Sequence, residues 1–164
     1  PEHRELATPC RKWTVHDLVG HMVGGAAKMA AALDADPAAG ADPDGDPLAA
    51  GPAQAWADAS ARLASAATPE NLGAERSFPF GTLPGAMGLS VIVADHLTHA
   101  WDLARATGQE LDVDDELAAW AHQVWSMVLS DELRNGDAFD VEQPCPAGAP
   151  AIDRLAAFTG RPVV

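Results

Sequence analysis

In the stretch ADHLTHAWDLARATGQ, residues 94–109, an acid and a histidine stand four residues apart, Asp95 and His99, inside a run that otherwise reads as a buried helix. On an α-helix, positions i and i+4 lie about 40° apart around the axis, so both side chains can aim at one point. That makes a two-ligand clip for a cation. A carboxylate that merely stabilises a neighbouring imidazole would give the same spacing. His96 is the competing ligand, but it is turned about 100° away from Asp95. A third ligand has to come from elsewhere, and His21 is the best placed, because it flanks the apolar stripe of the first helix about 60° from Leu18. Gly20, Gly24 and Gly25 surround it and would let a neighbouring helix or a small ligand come close. Two imidazoles and a carboxylate suit a divalent metal such as zinc, and three protein ligands leave positions open for water or substrate. Asp102 and Arg105, spaced i, i+3, would form an ion pair or order the site from behind its ligands.

Other familiar constellations are missing: there is no G-x-S-x-G elbow, no G-x-x-x-x-G-K phosphate loop and no H-E-x-x-H. Cys10 and Cys145 are far apart with no C-x-x-C pairing, so free thiols are expected, with Cys10 a small buried residue. The net charge of -14, ten Lys and Arg against twenty-four Asp and Glu, argues against nucleic acid as a partner. No apolar run reaches the roughly 18 residues that a membrane span needs, and PEHRELATPC lacks the pattern of a signal peptide. A cytoplasmic location with no membrane partner is the expectation.

The elements that must position these residues are helices. With 48% apolar and 21% charged residues, a length of 164 supports one domain, residues 1–164, with a real core. A helix over about 14–34 starts at Thr14 as N-cap with Asp17 three residues on, and buries Val15, Leu18, Val19, Met22, Ala26, Met29 and Leu33. ADPAAGADPDGDPLAAGP reads as an exposed loop. AQAWADASARLASAA gives an Ala-rich helix with Trp56, Ala59 and Leu63 on one face, and ERSFPFGTLPGAMG an irregular connection or a short strand. A central helix follows over about 87–107. The next helix begins near Asp112 or Asp114 with a core stripe of Leu117, Trp120, Val124, Val128 and Met127, and a short terminal helix ends at Gly160. The five tryptophans are expected mostly as core anchors. The class is all-α, an antiparallel bundle.

Three stretches, TPCRKWTVHDLVGH, DHLTHAWDLARATGQ and AIDRLAAFTGR, resemble a metal-binding family within the DinB-like superfamily, related to the N-terminal domain of mycothiol-dependent maleylpyruvate isomerase. The similarity spans most of the chain and is weakest around residues 36–52. The resemblance implies a DinB-like antiparallel four-helix bundle with a short C-terminal helix, holding one divalent metal, zinc or alternatively nickel. Its ligand positions fall on His21, Asp95 and His99, with Asp95 standing where relatives often carry Glu. It also implies a helix ahead of TPC, expected to be absent from this sequence or replaced by a partner chain, and a homodimer as an assembly to expect. Relatives of known activity add a low-molecular-weight thiol, mycothiol or bacillithiol, to an electrophile, the metal-bound thiol losing its proton near neutral pH. The expected partners are therefore a small-molecule thiol and an electrophilic substrate. The isomerase draws also on a separate C-terminal domain that this sequence does not include, so maleylpyruvate isomerisation itself is not expected. The leading expectation is a mycothiol-dependent thiol transferase-like or isomerase-like enzyme. The alternative is a non-enzymatic metal-binding or small-molecule-binding module in sensing or stress protection, and the weakest reading is an oligomerisation bundle without a site.

Overall fold

A computed structural model describes residues 3–36, 46–136 and 138–163. Residues 37–45 of the expected loop lie outside the described residues. The described chain is mostly helical: α1 (Val15–Leu33), α2 (Pro52–Ala66), α3 (Pro69–Gly73), strands β1 (Glu75–Phe78) and β2 (Gly81–Pro84), α4 (Gly85–Thr107), α5 (Asp115–Val128) and α6 (Ala151–Phe158), with a 3-10 turn at Asp131–Leu133. It divides into two compact units, residues 19–92 and residues 1–18 with 93–164. None of the described helices is long and apolar enough to cross a membrane.

In the unit of residues 19–92, Val23, Ala26, Leu48, Ala55 and Ala59 form one buried cluster, and Met29, Ala30, Leu33, Ala66 and Phe78 form a second. The hairpin lies in the stretch expected as an irregular connection or a short strand, and adds a small sheet to the mostly helical described chain. β1 and β2 pair antiparallel, with Phe78 opposite Gly81, so the Pro79–Phe80 pair makes the turn. Gly81 takes a φ of 133°, a conformation that side-chain-bearing residues avoid. Arg76 fastens the hairpin by donating through Nε to the Leu33 carbonyl at 2.7 Å, satisfying one of the carbonyls left open at the end of α1, and through Nη2 to Asn71 Oδ1 at 2.8 Å. The tip of the Phe78 ring then lies against Gly88 on α4, where a Cβ would run into it.

In the other unit, the start of α1 is fixed as expected: the Thr14 amide donates to Asp17 Oδ2 at 3.0 Å and the Asp17 amide to Thr14 Oγ1 at 3.2 Å, a reciprocal cap. Asp114 caps α5 by accepting from the amides of Glu116 and Leu117, with Asp115 and Glu116 complementing the dipole. The buried face of α5 is Ala118, Ala121, Val124 and Trp125. Of the expected stripe only Val124 is fully buried, whereas Leu117 is 43% and Met127 67% exposed. The stripe is displaced because two alanines allow close packing and Trp125 places its indole N–H on Thr98 Oγ1, 3.2 Å away. On α6, Ala151, Ile152, Leu155, Ala156 and Ala157 are buried. Trp101 on α4 is buried too and donates to Asp153 Oδ1 at 2.7 Å. Trp56, by contrast, is 37% exposed, so tryptophan is a core anchor here only at positions 101 and 125 among those fully buried.

Because Phe78 occupies the space beside Gly88, Gly88→Ala is expected to cost about 1–3 kcal/mol through overpacking, whereas Gly24→Ala, with open space at its Cβ, is expected to be neutral or stabilising. Urea unfolding of the two variants checks this, and equal effects would contradict the packing described.

Candidate metal centre

Asp95, His99 and Asp102 follow one another on α4 at i, i+4 and i+7, so the helix period stacks them along one face. His99 is 4% exposed. Its Nε2 lies 3.4 Å from Asp95 Oδ1, and its Nδ1 lies 3.0 Å from Asp102 Oδ2. An ionised carboxylate only accepts hydrogen bonds. Asp102 therefore fixes a proton on Nδ1, and Nε2, facing a second carboxylate, has to carry either another proton or a cation. Burial alone would lower the pKa of His99, but the hydrogen bonds and charges of Asp102 and Asp95 outweigh it and raise it to about 9. At neutral pH the imidazole is thus positively charged in the absence of a competing cation.

Asp102, fully buried, is held from its other side by Arg161, which donates through Nε to Oδ1 at 3.2 Å and through Nη2 to Oδ2 at 3.0 Å. Nη1 of the same guanidinium donates to the carbonyls of Ala138 at 3.0 Å and Thr159 at 3.1 Å. A buried guanidinium is tolerable only when its donors are matched in this way. Burial would raise the Asp102 carboxyl, yet the hydrogen bond from His99 and the charge of Arg161 hold it below the usual carboxylate range. Arg161 reaches this position because Gly160 turns the chain just beyond α6 with a φ of 95°.

The segment before α1 supplies the surroundings of His99. Thr8 Oγ1 donates to the carbonyls of Cys10 and Trp13, the Trp13 amide donates to the Cys10 carbonyl at 2.8 Å, and Ala7 bridges to Thr14. This closed turn sets the Trp13 ring 5.5 Å from the His99 ring. It also sets the buried Cys10 so that its sulfur and donor atoms of His99 and Asp102 lie within 4.8 Å of one another. Burial pushes the Cys10 thiol up, with Arg161 opposing.

Asp95 and His99 are brought together as their spacing suggests, and the imidazole is far more buried than a surface pair would be. His21 stands exposed on α1, in the unit of residues 19–92. Among the described residues no close approach explains Gly20 or Gly24: an added Cβ would meet Pro47 at an ordinary 3.6 Å at the first and nothing at the second. Arg105 does not pair with Asp102. It sits 3.5 Å from Asp153 and over the Trp101 ring, which leaves Asp102 to Arg161. His16 accepts through Nε2 from Arg4 Nη2 at 2.8 Å, and His122 packs on Phe158. Sequence reasoning missed Arg161 and Trp13 as parts of this centre. The only signal for Arg161 was a cation placed directly after a helix-ending glycine.

A mostly helical domain with a buried acid–imidazole–acid chain on one helix is the class these features define. The chain belongs to the family of the mycothiol maleylpyruvate isomerase N-terminal domain, whose model matches residues 2–104. It is 40% identical over 159 residues to the uncharacterized protein Rv0738 of Mycobacterium tuberculosis (strain ATCC 25618 / H37Rv), covering 95% of this chain and 84% of that protein. The uncharacterized protein MT0763 of Mycobacterium tuberculosis (strain CDC 1551 / Oshkosh) matches with the same identity and coverage. No solved structure shows a significant match.

Two outcomes follow from the buried chain of charges. Arg161→Ala leaves Asp102 without its guanidinium and is expected to cost about 3–5 kcal/mol in chemical denaturation. Loss of less than about 1 kcal/mol, the scale of exposed pairs, would contradict the burial. His99 has a folded pKa above its unfolded value, so its stabilisation of the metal-free protein is complete below about pH 6.5 and is lost as pH rises through about 9. Unfolding midpoints measured across that window should fall in wild type and stay flatter in Asp102→Asn.

Proposed function

We propose that the domain binds one divalent metal ion through His21, Asp95 and His99, and that the ion activates a low-molecular-weight thiol of the mycothiol type for addition to an electrophilic small molecule. The observation that carries this reading is the buried His99 ring, with Nε2 3.4 Å from Asp95 Oδ1 and Nδ1 3.0 Å from Asp102 Oδ2. The donor chemistry fits: two imidazoles and a carboxylate suit zinc first and nickel second. Membership of a family described by mycothiol chemistry supports the choice of thiol. Bound there, the ion would supply charge that deprotonates a coordinating thiol near neutral pH.

The chain's own residues do the rest. Asp102 keeps the His99 ring in one orientation with Nδ1 protonated, and Arg161 keeps Asp102 ionised and immobile. Trp13 sets its ring beside that of His99, tilted with centroids 5.5 Å apart. No protein cysteine has to act as nucleophile, in keeping with the buried state of Cys10. The same reading takes the helices as a DinB-type four-helix bundle working in the cytoplasm, with a homodimer as its assembly and no nucleic-acid or membrane partner.

Zinc-loaded protein incubated with mycothiol and a chromogenic electrophile is expected to form the thioether faster than zinc and thiol alone, and His99→Ala to abolish the difference. Metal and thiol binding without turnover across a panel of electrophiles would favour a sensing or protective module instead. Since the metal displaces a proton from His99, zinc affinity should rise about tenfold per pH unit up to about pH 9. A pH-independent affinity would place the ion away from His99.

A further inference from the structure

We propose that Cys10, His99 and Asp102 form a second cation site, taking soft divalent ions such as cadmium through the Cys10 sulfur, and that it excludes the ion held on the other side of His99. The three are buried, and their donor atoms lie within 4.8 Å of one another. A four-coordinate ion with the usual donor distances separates its ligands by about 3.4–3.7 Å, so closing the site takes side-chain shifts of about 1 Å. A thiolate beside an imidazole selects thiophilic ions, unlike the nitrogen and oxygen set of His21, Asp95 and His99.

Charge favours occupancy despite Arg161. The charged groups acting on Cys10 are Arg161, Asp102 and Asp95. With Cys10 as thiolate, three negative charges face one guanidinium, and a divalent ion cancels the remaining two. The Cys10 proton and the Nδ1 proton leave to solvent, while Nε2 keeps its proton and donates it toward Asp95, 3.4 Å away.

Exclusion follows from the imidazole itself. A neutral ring has one lone pair, on either Nδ1 or Nε2. With the ion on Nε2, Nδ1–H points at Asp102, as its 3.0 Å contact is arranged for. With the ion at Cys10, Nδ1 is the ligand and Nε2 is blocked by its proton. His99 therefore serves one ion at a time, and a soft metal at Cys10 acts as an inhibitor of the first site. The exclusion rests on the metal binding proposed above, whereas the Cys10 site itself depends neither on that ion nor on the thiol-transfer chemistry.

The test is a cadmium titration of Cys145→Ser protein, in which Cys10 is the remaining thiol, followed by ultraviolet cadmium–thiolate charge-transfer absorption. One equivalent should saturate the band, and zinc loaded beforehand should be released in equal amount. The band should vanish in Cys10→Ser/Cys145→Ser and in His99→Ala/Cys145→Ser, and persist in His21→Ala/Cys145→Ser, where the first site has lost a ligand. A cadmium NMR shift characteristic of sulfur ligation gives the same answer with Cys10 intact, should its replacement prevent folding. No thiolate band in folded Cys145→Ser protein, a band that survives loss of His99, or cadmium and zinc bound together without release would overturn the proposal.

Discussion

The carboxylate of Asp102, fully buried between a guanidinium and an imidazole, is the constraint on which the rest of this centre depends. A carboxylate in that position has to stay ionised and has to be met by donors on every side. It therefore keeps a proton on Nδ1 of His99, is matched by a buried arginine, and leaves the opposite nitrogen of the ring facing Asp95. Without that carboxylate, Asp95 alone on α4 would face the His99 ring, and Nδ1 would lose its 3.0 Å partner.

Such a chain of buried charges is weak evidence of stabilisation, because apolar residues of similar volume often pack as well or better. What it supplies is orientation. The surrounding elements supply the rigidity: Trp101 and Trp125 each place an indole N–H on a partner, Asp114 caps α5, and Gly160 delivers Arg161 just past the end of α6. The turn that carries Cys10 and Trp13 is closed by Thr8 and by the bridge of Ala7 to Thr14. Polar satisfaction and packing thus converge on one imidazole.

Much of this was legible in the sequence. Helical spacing placed Asp95 beside His99, the Thr14 and Asp17 pair announced the start of α1, and the stripe from Val15 to Leu33 was buried nearly as read, with Val19 partly exposed. The partner of Asp102 was not, because Arg161 lies 59 residues away while Arg105 offers itself at i+3, and local spacing carries no information about tertiary competition. The face of α5 is illegible for a related reason: side-chain size suggests a stripe through Leu117 and Met127, whereas the packed face is built on Ala118 and Ala121. At 75–84 the sequence suggested an irregular connection or a short strand, and the pairing into a hairpin was not legible because strands of four residues leave no alternation to detect.

The account is tested most directly by the metal content of protein purified without a nickel column or chelator and then offered zinc, compared among wild type, His21→Ala and His99→Ala. It predicts about one equivalent of zinc or nickel in the wild type and loss of that ion in both variants, each folded by circular dichroism. A folded wild type that takes up no metal, or a His21→Ala protein that keeps its ion, would contradict it.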